Sequence, residues 1–154
     1  MIARWRSAQR LDMRAVVPER ELRALRAVDL FAPLPLATVE TLALRATPRV
    51  VLADEQILRV GDVGARFYVI AEGTFEVQAG PVVRRLGPGD YFGEIALLRD
   101  VPRTAAVVAQ TDGLLYVVGR EQFLAAVTGH VRSAQAADAV VDARLRASSG
   151  PPAS

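Results

Sequence analysis

The sequence contains no cysteine, which excludes disulfide bridges and thiolate metal sites. It has one histidine, His130, which we expect to lie exposed in a connector between two helices. A metal site built from several histidines, a Ser-His-Asp set and a Cys-His set therefore cannot be assembled. Acidic pairs such as Glu72 and Glu76 fall where solvation explains them. We predict a binding protein, not an enzyme, with no metal and no cofactor.

Lysine is also absent, so that all 19 basic residues are arginine, a bias that we attribute to genomic base composition. The formal net charge is only +2, which gives no strong indication of nucleic-acid binding. No apolar run is long enough to cross a bilayer, and the N-terminus lacks the apolar core of a signal peptide. We expect a cytoplasmic protein, or a domain on the cytoplasmic face of a membrane protein.

The N-terminal segment is more basic than the rest of the chain. Residues 1–28 carry seven arginines against three acidic residues. One interpretation is the solvated face of a helix; the other is a basic surface against a membrane or an acidic partner. We predict a basic helical extension or linker over 1–28.

The remaining sequence predicts one mainly β domain with helices at both ends. With 154 residues, 51% of them hydrophobic, the chain suits a single domain. Leu22, Leu25 and Val28 lie at helical spacing, and Thr38 is a candidate cap for the next helix. From Thr47 onward, β-rich runs alternate with Gly-rich turns, which indicates a sandwich or a jelly-roll barrel. The runs are 49–52, 56–60, 66–70, 74–78, 82–86, a strand ending at 91–92, 103–109 and 114–118.

The C-terminal part reads as helical again. A helix over 121–127 is followed by a second helix, for which Ser133 is a candidate cap. We predict that the domain spans 29–147 and that 148–154 form a flexible tail.

The stretch from Tyr91 to Ala106 (YFGEIALLRDVPRTAA) has the composition of an anion site. Gly93 lets a ligand approach the backbone, and the short helix after it begins with unpaired N–H groups. Arg103 can donate two parallel hydrogen bonds to a phosphate. Glu94 would repel that anion, unless it accepts a hydrogen bond from a hydroxyl on the same ligand. A sugar phosphate meets both demands.

This stretch resembles the phosphate-binding cassette of the cyclic nucleotide-binding domain family, which includes catabolite activators, kinase regulatory subunits and cyclic nucleotide-gated channels. The pattern Phe-Gly-Glu-aliphatic-Ala-Leu, a variable bend and Arg-Thr-Ala is present without a break. The resemblance covers roughly residues 30–128. It implies an eight-stranded jelly-roll β-barrel, a double-stranded β-helix, with N-terminal helices and C-terminal lid helices.

The resemblance also implies residue roles. Backbone N–H groups around Ile95, Ala96 and Ala105 hold the cyclic phosphate, which Arg103 neutralises. Gly93 and Glu94 take the ribose 2′-hydroxyl. Thr104 lies beside the phosphate and, in relatives that respond to cyclic GMP, a threonine there also meets the guanine amino group.

Base recognition is less defined. The resemblance puts Val77 and Arg84 near the base, and the lid candidates are Val140, Val141 and Leu145. The alternative for these three is that they simply pack on the barrel.

We therefore expect a regulatory sensor for a cyclic purine nucleotide, with cyclic AMP favoured over cyclic GMP, in which ligand binding moves the C-terminal helix. The alternative is an interaction fragment of a larger transporter or channel that binds no nucleotide. The effector domain or partner is unknown, and a homo-oligomer is open. We do not expect DNA binding, because fewer than ten residues follow Leu145, too few for a helix-turn-helix.

Overall fold

The computed structural model of the protein describes residues 18–129 and 131–149, except for the side chains of 131–136 and 147–149. Residues 1–17 of the predicted extension, His130, and residues 150–154 of the predicted tail lie outside the described residues.

Two helices precede the sheets. Helix α1 spans Glu19–Arg26, a 3-10 turn spans Asp29–Phe31, and helix α2 spans Leu36–Arg45. The predicted cap at Thr38 is wrong, because α2 begins two residues earlier, directly after Pro35. Proline presets a φ suited to a helix start, and its carbonyl accepts the N–H of Thr38 at 3.0 Å.

The β-strands form two four-stranded antiparallel sheets, which confirms a mainly β fold with flanking helices. One sheet has the order β1-β8-β3-β6 and the other β2-β7-β4-β5. The strands are β1 Thr47–Val51, β2 Gln56–Leu58, β3 Arg66–Glu72, β4 Phe75–Ala79, β5 Val82–Leu86, β6 Tyr91–Phe92, β7 Ala106–Ala109 and β8 Gly113–Gly119.

The two sheets of the predicted jelly roll do not join into a closed barrel. Among residues 18–129 and 131–149, no strand of one sheet pairs with a strand of the other, so the sheets form a sandwich. The edge strand β6 has only two residues, too few to continue the hydrogen-bond ladder into the second sheet.

The strand predicted to open at Arg103 begins later, at Ala106. The backbone of Arg103 pairs instead with the turn before β3: its N–H donates to the carbonyl of Asp62 at 2.7 Å, and its carbonyl accepts from Gly61 at 2.9 Å. This pairing holds Arg103 outside the regular ladder and directs its side chain toward the space beside β6.

Helices α3 (Glu94–Arg99), α4 (Arg120–Thr128) and α5 (Val131–Ser149) complete the fold. The predicted cap at Ser133 is wrong, since α5 begins at Val131; it continues through Ser149, two residues into the segment predicted as tail. No helix in the described ranges has the length and apolar character needed to span a membrane.

The β1-β8-β3-β6 sheet is buried on both faces. In β3, Phe67 and Val69 pack toward the helices, whereas Tyr68 and Ile70 pack toward the second sheet. The helical side also contains Leu25 and Val28, both 0% exposed, so these residues pack with the domain that the sequence places from residue 29 onward. The fold thus has two hydrophobic clusters with a sheet between them.

Candidate ligand-binding site

The site is built around the sharp turn from β6 into α3. Gly93, at this turn, has φ of 97°, in the left-handed region that glycine adopts without strain. A Cβ at this position would lie 2.9 Å from the carbonyl oxygen of Arg66. Both conformation and space therefore require glycine here.

Arg103 is buried at one end of the site, with 5% of its surface exposed. Its Nη1 donates to the carbonyl of Gly93 and its Nη2 to that of Arg66, both at 2.8 Å. It forms no ion pair with a carboxylate in the part of the chain that the structure describes. Burial lowers the pKa of Arg103, although Tyr68 and Glu94 oppose that shift. A guanidinium has five N–H donors, so donors remain for a ligand.

Gly64, in the segment between β2 and β3, supports this arginine. It is buried, and a Cβ there would lie 2.7 Å from the Cβ of Ala96 and 2.9 Å from Cζ of Arg103. The Gly-rich composition of the turn was the only signal in the sequence. Gly64 is therefore a positioning residue for the guanidinium.

Glu94 is the only fully buried acidic residue among those described, with 0% exposure. Its Oε1 lies 2.6 Å from Nη1 of Arg144, whereas Oε2 accepts no hydrogen bond from a described residue. Burial raises the pKa of Glu94, and the charge of Arg144 acts against that shift. A buried carboxylate oxygen without a partner is costly, which marks Oε2 as an acceptor for a ligand group.

Arg144 reaches the site from α5 and was missed in the sequence. Its guanidinium carbon lies 4.6 Å from the centre of the Tyr91 ring, and its Nη2 donates to the Tyr91 carbonyl at 3.2 Å. Burial raises the pKa of Tyr91, so the ring stays neutral under the cation. Arg144 lies one helical turn after Val140, a spacing that could have suggested it as a lid residue.

A cavity of about 430 Å³, its open mouth included, connects these groups. The structure brings most of the predicted site residues to its wall: Gly93, Glu94, Ile95, Ala96, Arg103, Thr104, Ala105, Val77 and Arg84. It does not bring Val140 or Val141 there. Val141 is 0% exposed, and Val140 packs against the helical-side cluster.

Arg84 contributes a second unpaired cation to the cavity wall. It pairs in register with Val77 across β4 and β5, so both side chains face the space between the sheets. Burial lowers the pKa of Arg84, and Arg144 lowers it further. Arg84 forms no ion pair within the described residues. The cavity thus offers two unpaired guanidiniums, which fits an anion that carries further acceptor atoms.

The described residues contain no group of three or more metal-binding side chains of the His, Cys, Asp or Glu type.

Comparison with known proteins places this geometry in a family context. Residues 48–130 match the model of the cyclic nucleotide-binding domain, which is more than half of the chain. The chain is 44% identical over 73 residues to a cAMP-dependent protein kinase regulatory subunit of Eremothecium gossypii, covering 46% of this chain and 16% of that protein. It is 42% identical over 77 residues to a cGMP-dependent protein kinase of Plasmodium berghei, covering 49% of this chain and 9% of that protein.

A solved structure agrees with these matches. The regulatory domain of Toxoplasma gondii PKA, crystallised with cAMP, superimposes with a TM-score of 0.66 at 32% identity. The match covers 70% of this chain and 43% of that one. The chain thus spans less than half the length of each of these relatives.

Proposed function

The chain belongs to the cyclic nucleotide-binding domain family, and on that premise we propose that its cavity holds a cyclic purine nucleotide between Arg103 and Glu94. The family assignment makes it a regulatory ligand-binding domain. The ligand, its orientation and the response of the helices are our proposal.

The observation that carries the proposal is the environment of Arg103. Arg103 is buried, with 5% of the residue exposed, yet its guanidinium is held by two neutral carbonyls and no described carboxylate. A buried cation without a counter-ion is costly, and a bound phosphate would remove that cost. The N–H groups of Ile95, Ala96 and Ala105 are the proposed further donors to the phosphate.

Glu94 supports the sugar end of the proposal. Its Oε2 is buried and accepts no hydrogen bond from a described residue, and Glu94 lines the cavity, so Oε2 is the proposed acceptor for the ribose 2′-hydroxyl. One ligand that carries both a phosphate and a hydroxyl satisfies Arg103 and Glu94 together.

The identity of the base depends on Arg84. The sequence favoured cyclic AMP, but an arginine in the cavity wall favours cyclic GMP as a second candidate. Guanidinium is a donor only, which suits the O6 and N7 acceptors of guanine and opposes the 6-amino donor of adenine. Thr104, also in the wall, is the proposed partner of the guanine 2-amino group.

We propose that Glu94 also transmits occupancy to the C-terminal helix. Its Oε1 contacts Arg144 of α5, and Oε2 is the proposed acceptor for the ligand. A ligand that draws on Glu94 therefore alters how strongly α5 is held, and the coupling equals the difference in ligand affinity between the two positions of α5.

Calorimetric titration of the complete chain with cyclic AMP, cyclic GMP and linear AMP tests the proposal. We expect both cyclic nucleotides to bind and linear AMP to bind more weakly. In a cyclic nucleotide the phosphate is fused to the ribose, which fixes it at the distance that separates Arg103 from Glu94, whereas the phosphate of linear AMP is not fixed in this way. If neither cyclic nucleotide binds, the interaction-module alternative replaces the proposal.

The proposed cellular location and effector partner are taken from the family resemblance. We propose that the domain acts in the cytoplasm or at the cytoplasmic face of a membrane protein, with an effector domain or partner that receives the signal. The basic segment 1–28 is the proposed linker to such a context. Size-exclusion chromatography with light scattering would decide whether the chain forms a homo-oligomer.

A further inference from the structure

Helix α5 contains two consecutive four-residue segments with the same pattern. Ala137-Asp138-Ala139-Val140 is followed by Val141-Asp142-Ala143-Arg144. Each has an apolar residue, then aspartate, then alanine; the first position changes from alanine to valine and the fourth from valine to arginine. Four residues make about one helical turn, so equivalent positions lie close to the same face.

Both segments place an aspartate near Arg99, but only the second segment also pairs with Glu94. Arg99, at the end of α3, pairs with Asp142 at 2.7 Å and lies 3.7 Å from Asp138. At the start of α3, Glu94 pairs with Arg144 at 2.6 Å. Helix α3 therefore runs antiparallel to α5 and is tied to it at both ends, by ion pairs of opposite polarity.

If α5 moved along its axis by one turn, so that each residue took the place of the residue four positions later, most of these contacts would be replaced by contacts of the same type. Ala137 would take the buried place of Val141, and Asp138 would replace Asp142 at Arg99. The fourth position differs, because Val140 would then take the place of Arg144. Glu94 would lose its cation, and an apolar side chain would face the cavity.

We propose that α5 has two registers on α3, one turn apart, and that the displaced register is the nucleotide-bound one. In the observed register Arg144 forms an ion pair with Glu94. In the displaced register Asp138 takes the place of Asp142 at Arg99, Glu94 accepts a hydrogen bond from the ribose, and Val140 lies over the base. The ligand assignment rests on the proposed function, whereas the two registers rest on the repeat and the ion pairs.

The connection to α4 can supply the required length. A shift of four residues corresponds to about 6 Å along the helix axis. Unwinding the first turn of α5, residues 131–134, yields about that distance, because an extended residue spans roughly 3.3 Å against 1.5 Å in a helix. Gly129 adjoins this turn at the end of α4. The larger Val141 fills its buried site better than Ala137 would, which favours the observed register without ligand.

Electron paramagnetic resonance distances test the proposal directly. The natural sequence has no cysteine, so spin labels can be placed at Thr128→Cys and Ala143→Cys, both at exposed positions. The first label lies at the end of α4, just before α5, and the second lies within α5, so the distance between them reports movement of α5 relative to α4. We expect saturating cyclic nucleotide to lengthen the label distance by about 6 Å.

Two matched substitutions separate the registers without any ligand. Asp142→Asn removes the closer of the two aspartate contacts of Arg99 and should populate the longer distance, whereas Asp138→Asn should leave only the shorter one. Each removes one negative charge from an exposed carboxylate on the same face of α5. A general electrostatic effect would move both variants alike, and that result would overturn the proposal.

Nucleotide affinity provides a second readout. We expect Asp142→Asn to tighten binding and Asp138→Asn to weaken it, each by about threefold, the scale of an exposed ion pair. Val140→Arg should weaken binding as well, because it carries a guanidinium to Glu94 in the displaced register.

The outcomes also separate the two proposals. A longer distance in Asp142→Asn and a retained shorter distance in Asp138→Asn, without nucleotide binding, support the registers and contradict the proposed ligand. Normal nucleotide binding with the shorter distance retained in every sample contradicts the registers.

Discussion

Gly64 and Arg103 lie so close that a methyl group does not fit between them: a Cβ on Gly64 would sit 2.9 Å from the guanidinium carbon. The two residues are far apart in the sequence, but the turn that contains Gly64 is paired with the backbone of Arg103. The direction of the arginine therefore depends on a residue that makes no polar contact with it.

We predict that Gly64→Ala destabilises the domain and weakens nucleotide binding. The added methyl group must displace Ala96 or Arg103, and overpacking of this kind costs about 1–3 kcal/mol. Urea denaturation and calorimetry would measure the two effects. Gly87→Ala is the matched control, since an added Cβ there meets nothing within 4 Å and we expect little change. Equal behaviour of the two variants would contradict the role of Gly64.

Arg103→Ala should reduce cyclic nucleotide affinity by more than a hundredfold. The variant leaves a desolvated phosphate without its cation, a loss of about 3 kcal/mol or more. Isothermal titration calorimetry would measure it. Arg85→Ala, an exposed arginine beside Arg84 on β5, serves as the control and should bind normally. Unchanged affinity in Arg103→Ala would remove the proposed phosphate site.

Arg84→Leu should lower the preference for 6-oxopurines. Cyclic IMP has the O6 acceptor of guanine but no 2-amino group, so it isolates the contribution of Arg84 from that of Thr104. We expect Arg84→Leu to weaken cyclic GMP and cyclic IMP by about tenfold, with a smaller change for cyclic AMP. Competition titrations with all three nucleotides measure this. Arg85→Leu should alter none of them, and a uniform loss in Arg84→Leu would speak against base selection.

The buried carboxyl of Glu94 should give the unfolding free energy a distinctive pH dependence. Because burial raises its pKa above the ordinary value of 4.5, the folded state retains the proton longer than the unfolded state. Stability from this group is therefore greatest below pH 4.5 and falls as pH rises through the raised pKa.

Denaturant titrations of wild type and Glu94→Gln at a series of pH values would give the contribution of Glu94 to the free energy of unfolding as the difference between the two proteins. Arg144→Gln should strengthen the fall, because it removes the cation that favours the ionised form. If the difference in unfolding free energy between wild type and Glu94→Gln does not change as pH rises from 4.5, the carboxyl is not desolvated as described.

The turn, the short helix and the returning arginine between Tyr91 and Ala106 could be predicted because they depend on neighbouring residues. Gly93, Glu94 and Arg103 lie within eleven consecutive positions, and the turn, the short helix and the returning arginine follow from those residue types. The alternation of β-rich runs and Gly-rich turns likewise located the strands.

What escaped prediction depends on contacts between distant segments. Arg144 meets Glu94 across fifty positions, and nothing in the local pattern of α5 specified which turn would face the cavity. Gly64 resembles any other turn glycine until the packing of Arg103 is known. Closure of a barrel depends on the lengths of edge strands, which residue propensities define poorly. Both predicted caps, Thr38 and Ser133, were displaced because a hydroxyl is only one of several ways to begin a helix.

The partition of the interior by the β1-β8-β3-β6 sheet has a consequence for how such a domain diversifies. Residues such as Phe75 and Val107 form an interior of their own between the sheets, separate from the one that joins the helices to the outer face. Substitutions that retune the helical layer away from Glu94 and Arg144 therefore leave the strand-borne walls of the pocket untouched. The architecture lets the output be exchanged while ligand selectivity is inherited intact.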